Sequence, residues 1–194
     1  MPSDLTLRPA RESDAEDLVQ LINIAGEGLP LFIWEMMREE GEEVWDTGRR
    51  RARRAQGSFS YTNATLGMVD GNVVALMMGY PLPDVPTPID YAGMPPLFVP
   101  LQELENLVPA SWYVNVMATY APHRNRGFGL RLLEEAERIA RTGHCPMLSI
   151  ITSDSNPALR LYQRFGFEEV TRRAIEKGGW EYHGSEWVLL SKSL

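Results

Sequence analysis

Only one cysteine, Cys145, occurs in the chain, so no internal disulfide is available. A lone thiol fits a reducing cytoplasm. Its place beside Pro146, at the end of a helical stretch, marks it as a small core residue rather than a nucleophile. Long apolar runs are missing too: no stretch approaches the roughly 20 apolar residues of a membrane span. The first residues, MPSDLTLRPARESD, contain no apolar h-region, so no secretory signal is expected. Positive charge is not in excess. The net charge of -7 argues against a general nucleic-acid binder and favours solubility. No Lys-Ser or Lys-Thr follows a glycine loop, which excludes the phosphate loop of nucleotide hydrolases. No G-x-G-x-x-G stands near the first strand, as a dinucleotide fold would want. No metal site is expected.

What is present points to one domain over 1–194, long enough to bury a real core, with an ordinary apolar content of 44%. Leu5-Thr-Leu-Arg8 alternates and predicts the first strand. Ser13-Asp-Ala-Glu16 reads as a capping box, followed by Leu18, Leu21, Ile22 and Ala25 at helical spacing and by Gly26 and Gly28 as a stop. LFIWEMMREE predicts a second helix, interrupted at Gly41 and Gly48. Acids at 39, 40, 42, 43 and 46 precede arginines at 49, 50, 51, 53 and 54, a pattern expected of a solvated, ion-paired helix. Residues 65–80 predict a hairpin turning at Asp70-Gly71. Eight of the 14 prolines then fall within 81–109, at 81, 83, 86, 88, 95, 96, 100 and 109. Proline resists helix and interior strand alike, so this is an insertion between the third and fourth strands, with a short helix expected near Leu101–Leu107. Surface cover, dimer interface and acceptor-site wall all remain open for it.

The centre of the chain is Trp112–Arg141: an apolar strand, WYVNVMAT, then a turn with Arg124, Gly127 and Gly129 at R-x-x-G-x-G spacing, then an amphipathic helix. Leu130, Leu133, Ala136 and Ala140 are expected on its inner face, with Glu134–Arg138 and Glu137–Arg141 pairs outside. A strand feeding a glycine turn at a helix start suits phosphate, because the first helical N–H groups lack internal partners and the dipole is positive there. The glycines alone fit a bare tight turn as well. A further strand, Met147–Thr152, leads to polar Ser153-Asp-Ser-Asn156-Pro157 at a helix start, then Leu161, Tyr162 and Phe165, and Gly166 as a stop. Thr171–Ile175 and Glu186–Leu190 predict the closing strands.

R-x-x-G-x-G resembles the acyl-coenzyme A pyrophosphate loop of the GNAT superfamily of N-acetyltransferases. Asn156-Pro-Ala-Leu-Arg-Leu-Tyr162-Gln-Arg-Phe-Gly166-Phe167 resembles that family's second signature. The likeness covers about Trp112 to Val170 well and the first half in outline. It implies an α/β (α+β) GNAT-type fold: a mixed, mostly antiparallel sheet of about six to seven strands, helices on both faces, and a V-shaped splay between strands 4 and 5. It implies acetyl-CoA as co-substrate and a small-molecule or peptide primary amine as acceptor, attacked directly in a ternary complex. Met117, Ala118 and Thr119 would hydrogen-bond the pantetheine arm. Arg124, Asn125, Arg126, Gly127, Phe128, Gly129 and Leu130 would hold the pyrophosphate, and Asn156 would contact the arm. Tyr162 would protonate the leaving thiolate, a step open to a phenol. A homodimer is compatible with the family. One departure stands out: some members carry a glutamate near the start of the fourth strand, where this chain has Trp112, Tyr113 and Asn115. Glu35, Glu103, Glu105 and His183 remain as candidates for relaying the amine proton, and a coenzyme A sensor without catalysis is the competing reading.

Overall fold

The computed structural model describes residues 5–194. Its strands are β1 (Thr6–Pro9), β2 (Ala64–Val69), β3 (Asn72–Pro81), β4 (Trp112–Thr119), β5 (Met147–Ser153), β6 (Glu168–Ala174) and β7 (Glu186–Ser193). Its helices are α1 (Ala15–Ala25), α2 (Leu29–Met36), α3 (Val44–Ala52), α4 (Val99–Glu105), α5 (Phe128–Thr142) and α6 (Leu159–Arg164). The strands form a sheet in the order β1-β2-β3-β4-β5-β7-β6. It is mostly antiparallel, with β4 and β5 parallel. The mixed architecture expected from the sequence is the one formed. No helix among the described residues is long and apolar enough to cross a membrane. The chain divides into two compact units, one of Met1–Gly79 with Asn115–Leu132, the other of Tyr80–Val114 with Leu133–Leu194.

In the first unit, β2 and β3 pair through a turn in which Asp70 (φ 49°) and Gly71 (φ 79°) are both left-handed, as a two-residue hairpin of type I′ requires. Leu66, Leu76 and Met78 from this hairpin meet Leu18, Leu21 and Ile22 of α1 and Val116 of β4 in one core. The expected capping box at Ser13–Glu16 does not form. Asp14 takes the position before α1, and its carboxylate accepts two bonds from the Arg8 guanidinium (2.7 and 2.8 Å) and one from the Arg11 N–H (2.7 Å). Those bonds hold its carboxyl below the usual range. Glu16 instead reaches Arg49 on α3 at 2.6 Å.

Gly48 does not interrupt its helix. It lies inside α3, where a Cβ atom would stand 2.8 Å from the Trp34 ring. Trp34 is 4% exposed and packs edge-on against Trp45 at 5.9 Å, so it is a core residue. The arginine run is ion-paired as expected: Arg49 also meets Asp46 at 2.7 Å, and Arg50 meets Glu42 at 3.1 Å and Glu39 at 3.2 Å.

In the second unit, the proline-rich insertion supplies a 3-10 turn, Pro96–Phe98, that runs into α4. Leu82, Leu104 and Val108 bury against Tyr113 of β4 and Leu189 of β7, and α4 packs on β5, β6 and β7. Asn106 fastens the preceding loop by exchanging two 2.8 Å bonds with the backbone of Thr87. This part of the insertion is therefore a cover over the sheet, while Val85 and Tyr91 stay exposed. Strands β5 and β7 pair over Met147–Ser153, and β7 pairs β6 on its other side.

Helix α5 runs through the point where the two units meet in sequence. Its buried residues are Phe128, Leu132, Leu133, Ala136 and Ala140. Leu130, expected among them, is 43% exposed. The buried stripe takes its phase from Phe128, and Leu130 lies off it. Arg138 is gripped by Glu135 (2.7 and 2.8 Å) in the place expected of Glu134, and Arg141 pairs with Glu137 at 2.7 Å as predicted.

Candidate active site

In the first unit, the chain leaves β4 at Thr119 and makes a 3-10 turn over Ala121–His123. Arg124 is extended, Asn125 is left-handed (φ 60°), and Gly127 is left-handed again (φ 82°) before α5 begins at Phe128. Asparagine tolerates that conformation better than most residues, and glycine adopts it without steric cost. Alternating handedness of this kind turns successive backbone N–H groups toward one side, as in an anion-binding nest. The Phe128 ring is buried and pins the helix start. His123 stacks on it at 6.5 Å, and the Arg126 guanidinium lies 5.4 Å from its centroid. Arg124 Nε donates to the Thr119 carbonyl at 3.0 Å, which ties the turn back to the strand.

The turn itself faces water: Arg124, Asn125, Arg126 and Gly127 are all exposed. A Cβ on Gly127 would meet nothing within 4 Å, so glycine is needed there for its φ and not for internal space. The first i,i+4 bond of this start is Arg131 N–H to the Gly127 carbonyl at 3.2 Å. The N–H groups ahead of it point along the helix axis and out of the turn. With two arginines alongside, the arrangement can hold a polyanion by backbone bonds, dipole and charge together. Because the Phe128 side chain is buried, only its backbone can serve a ligand. Met117, Ala118 and Thr119 close β4 just before this turn, Ala118 buried and the other two half-buried. The parallel ladder of β4 with β5 runs from Trp112↔Leu148 to Val114↔Ile150, and β4 continues to Thr119.

Asn156 and Tyr162 lie in the second unit. Asn156 Oδ1 accepts the Ala158 N–H at 2.9 Å. That bond turns the chain before the helix, so α6 begins at Leu159, two residues beyond the expected Pro157 start. Tyr162 is 5% exposed and packs edge-on against Phe167 at 6.1 Å. Its carbonyl accepts the Phe167 N–H at 3.1 Å, and Gly166 (φ 100°) reverses the chain between them.

Tyr113 lies near both Tyr162 and Tyr80. Tyr113 and Tyr80 meet edge-on at 5.8 Å. Burial raises the Tyr113 hydroxyl well above its ordinary pKa, and Glu105, Tyr80 and Tyr162 are all near enough to raise it further. Glu105, the last residue of α4, is itself pushed up to about 7 by burial. Sequence reasoning gave Glu105 no more weight than Glu103, because nothing local marks which carboxylate the fold will strip of water. The same holds for Tyr182, whose hydroxyl bonds those of Ser153 and Ser155 in the second unit. Cys145 is half-buried, and desolvation with the Asp84 charge raises its thiol pKa, which disfavours the nucleophilic thiolate.

The model of the acetyltransferase (GNAT) family matches residues 31–167. A search of curated protein sequences finds no match. Many solved structures share the fold. A polyamine N-acetyltransferase of Drosophila melanogaster, which forms N-acetylagmatine, is 16% identical at TM-score 0.64, covering 98% of this chain and 100% of its own. An N-acetyltransferase of Staphylococcus aureus is 20% identical at TM-score 0.62, with 96% and 99% covered. A GNAT family acetyltransferase of Elizabethkingia anophelis with acetyl-CoA bound is 18% identical at TM-score 0.51, with 68% and 75% covered. At these identities the likeness is one of fold.

Proposed function

The chain belongs to the acetyltransferase (GNAT) family, and from that premise we propose that it moves an acetyl group from acetyl-CoA to a primary amine, of a small molecule or a peptide, by direct attack in a ternary complex. The observation that carries this reading is the exposed turn from Arg124 to Gly127, with its two left-handed residues and the open start of α5. It fits a diphosphate: Arg124 and Arg126 supply charge, and the backbone of Asn125, Gly127, Phe128, Gly129 and Leu130 supplies donors. Met117, Ala118 and Thr119, on the part of β4 beyond its ladder with β5, take the pantetheine arm as a strand takes a neighbour. Asn156 gives a further polar contact to the arm.

Tyr162 serves as the acid that protonates the leaving thiolate. Its burial supports the role, since a phenol shielded from water is available to the departing sulfur without competition from solvent. The amine acceptor matches what the Drosophila relative acts on in chemical class only. The whole of 1–194 is taken as one acetyltransferase domain, and its single cysteine suits a cytoplasmic setting.

A second reading, a coenzyme A sensor without catalysis, draws on one observation: β4, with the sequence WYVNVMAT, carries no carboxylate. The test is thiol release from acetyl-CoA over a panel of monoamines, polyamines and peptide amines. Acceptor-dependent release at least tenfold above background hydrolysis is expected. Tight coenzyme binding with no acceptor-dependent thiol gives the sensor reading instead. Replacing Tyr162 by Phe should lower kcat by about 10²-fold or more, the scale of a lost general acid, with coenzyme affinity nearly unchanged. Unchanged kcat removes Tyr162 from the chemistry.

A further inference from the structure

Helices α1 and α3, both in the first unit, enclose a cleft that the transfer reading does not use. Glu16, Gln20, Asn23 and Ile24 stand at i, i+4, i+7 and i+8 along α1, which brings them to one face of the helix. Trp45 and Arg49, one turn apart on α3, stand opposite. These six residues line a space of about 340 Å³. Sites for small molecules run from about 300 to 1,000 Å³, so this one suits a compact ligand rather than a nucleotide. It shares no residue with the turn before α5.

The wall carries both signs of charge side by side. Arg49 Nε donates to Glu16 Oε2 at 2.6 Å, and Gln20 Nε2 donates to Glu16 Oε1 at 2.8 Å. The carboxylate is thus held in place with lone pairs to spare. Arg49 Nη1 donates to Asp46 at 2.7 Å, while Nη2 has no partner among the described residues. Asn23 Oδ1 accepts the Leu31 N–H at 3.1 Å, which fixes the side-chain amide and leaves its NH₂ group unpaired among those residues. The Trp45 indole N–H is unpaired in the same sense. Hydrogen bonding holds the Glu16 carboxyl below its usual range and Arg49 above, so both are charged at neutral pH. Apolar surface lies beside them: the Trp45 ring, met edge-on by Trp34 at 5.9 Å, and Ile24, 36% exposed.

A simple anion entering this cleft is drawn to Arg49, Asn23 and Trp45 but repelled by Glu16. A simple amine is drawn to Glu16 and repelled by Arg49. A molecule with both charges on neighbouring atoms satisfies the two together. An ion pair joining two surface helices needs only Glu16 and Arg49; the Asn23 and Trp45 donors and the exposed Ile24 border the same opening without serving that pair. We propose that the cleft between α1 and α3 binds a free α-amino acid with an apolar side chain, at a site separate from that of acyl transfer. The ammonium meets the remaining lone pairs of Glu16, which Gln20 holds in position. The carboxylate takes Arg49 Nη2 and the Asn23 amide, a charge-assisted set. The side chain lies on Trp45 and Ile24. No bond is made or broken.

The test is calorimetry with L-leucine and L-phenylalanine in the absence of coenzyme A, so that it stands or falls apart from the transfer reading. Indole N–H signals are followed by NMR in the same titration, the Trp45 signal being the one lost in Trp45→Phe. Saturable one-to-one binding with a shift of that signal is expected. Isopentylamine and isocaproate, which each lack one charge of leucine, should bind at least about tenfold more weakly, the scale of a lost charge-assisted bond. Glycine, without the apolar body, should lose about as much. Asn23→Asp keeps the oxygen that accepts the Leu31 N–H and replaces the donor by a charge that repels a carboxylate. Ile24→Glu adds an acid at an exposed position. Each should weaken leucine binding at least about tenfold, while the other indole signals of the free protein stay where they are. No binding of either amino acid, a Trp45 signal that does not move at saturation, or binding that both variants leave within twofold overturns the site. Equal affinity for leucine and isopentylamine overturns the zwitterion as its ligand.

Discussion

Two single residues show how far a local reading depends on distant neighbours. Gly48 has the look of a helix breaker, yet it sits within α3 because the Trp34 ring lies where its Cβ would go, at 2.8 Å. Gly48→Ala should therefore destabilise the protein by about 1–3 kcal/mol, despite the better helix propensity of alanine. A urea melt checks this, and a stabilised variant would show that Trp34 can move aside. Glu105 is the second case. Its folded pKa, about 7, lies above the ordinary 4.5, so between those values the fold keeps a proton that the unfolded chain has lost. The stability this gives is complete below 4.5 and is lost as pH rises through 7. Above that, the bare carboxylate is a liability on the order of 2–3 kcal/mol. Glu105→Gln should accordingly raise stability at pH 8 and leave it nearly unchanged at pH 4.5. Equal urea midpoints for the two proteins at pH 8 would contradict the raised pKa.

At the scale of elements, the turn before α5 is the proposed diphosphate site, and Gly127 sets its shape. Gly127→Ala adds a methyl group that touches nothing within 4 Å. Any effect must come from the left-handed φ of 82° and from the closer approach that a bare backbone allows. The variant should lose about 1 kcal/mol of stability and bind coenzyme A roughly tenfold more weakly, since a charge-assisted bond displaced from an anion is worth about 1.5–3 kcal/mol. Unchanged affinity by calorimetry would take the turn out of the binding site.

This turn was legible in the sequence because its signal is local: glycine where φ is positive, arginine beside it, a strand before and a helix after. Asp70-Gly71 announced the β2–β3 hairpin in the same way. Contacts from elsewhere in the chain decided the rest. Arg8 claimed Asp14 and displaced the capping box expected at Ser13. Phe128 fixed the phase of α5, so Leu132 is buried where Leu130 was expected. Asn156 capped its own turn and delayed α6. Which insertion glutamate would lose its water depended on where α4 packs, and no spacing in the chain encodes that.

For the whole molecule, the net charge is -7, and many of the acids are paired. Asp14, Glu16, Glu42, Glu137, Asp154 and Glu169 all have lowered pKa values through hydrogen bonds with Arg, Lys, Ser or backbone N–H groups; that of Glu42 falls to about 2. Depressed carboxylates stabilise above their unfolded pKa, and that contribution disappears as pH falls through the folded value. Glu16 and Glu169 are exposed and the others half-buried at the surface, so solvent screening leaves each pair a small contribution by itself. Together with Glu105 they predict a maximum of stability near pH 5–6, a steep fall toward pH 3 and a shallow one toward pH 8. Urea midpoints across that range check it, and a curve still rising at pH 8 would contradict it. The central claim is that the protein grips the diphosphate of a thioester carrier through the bare amides around Arg126 to Gly129. Calorimetric titration of the wild-type protein with coenzyme A, run at two temperatures so that a vanishing enthalpy cannot hide binding, tests it most directly. Saturable one-to-one binding, weakened by salt, is the predicted result; no binding at either temperature would contradict it.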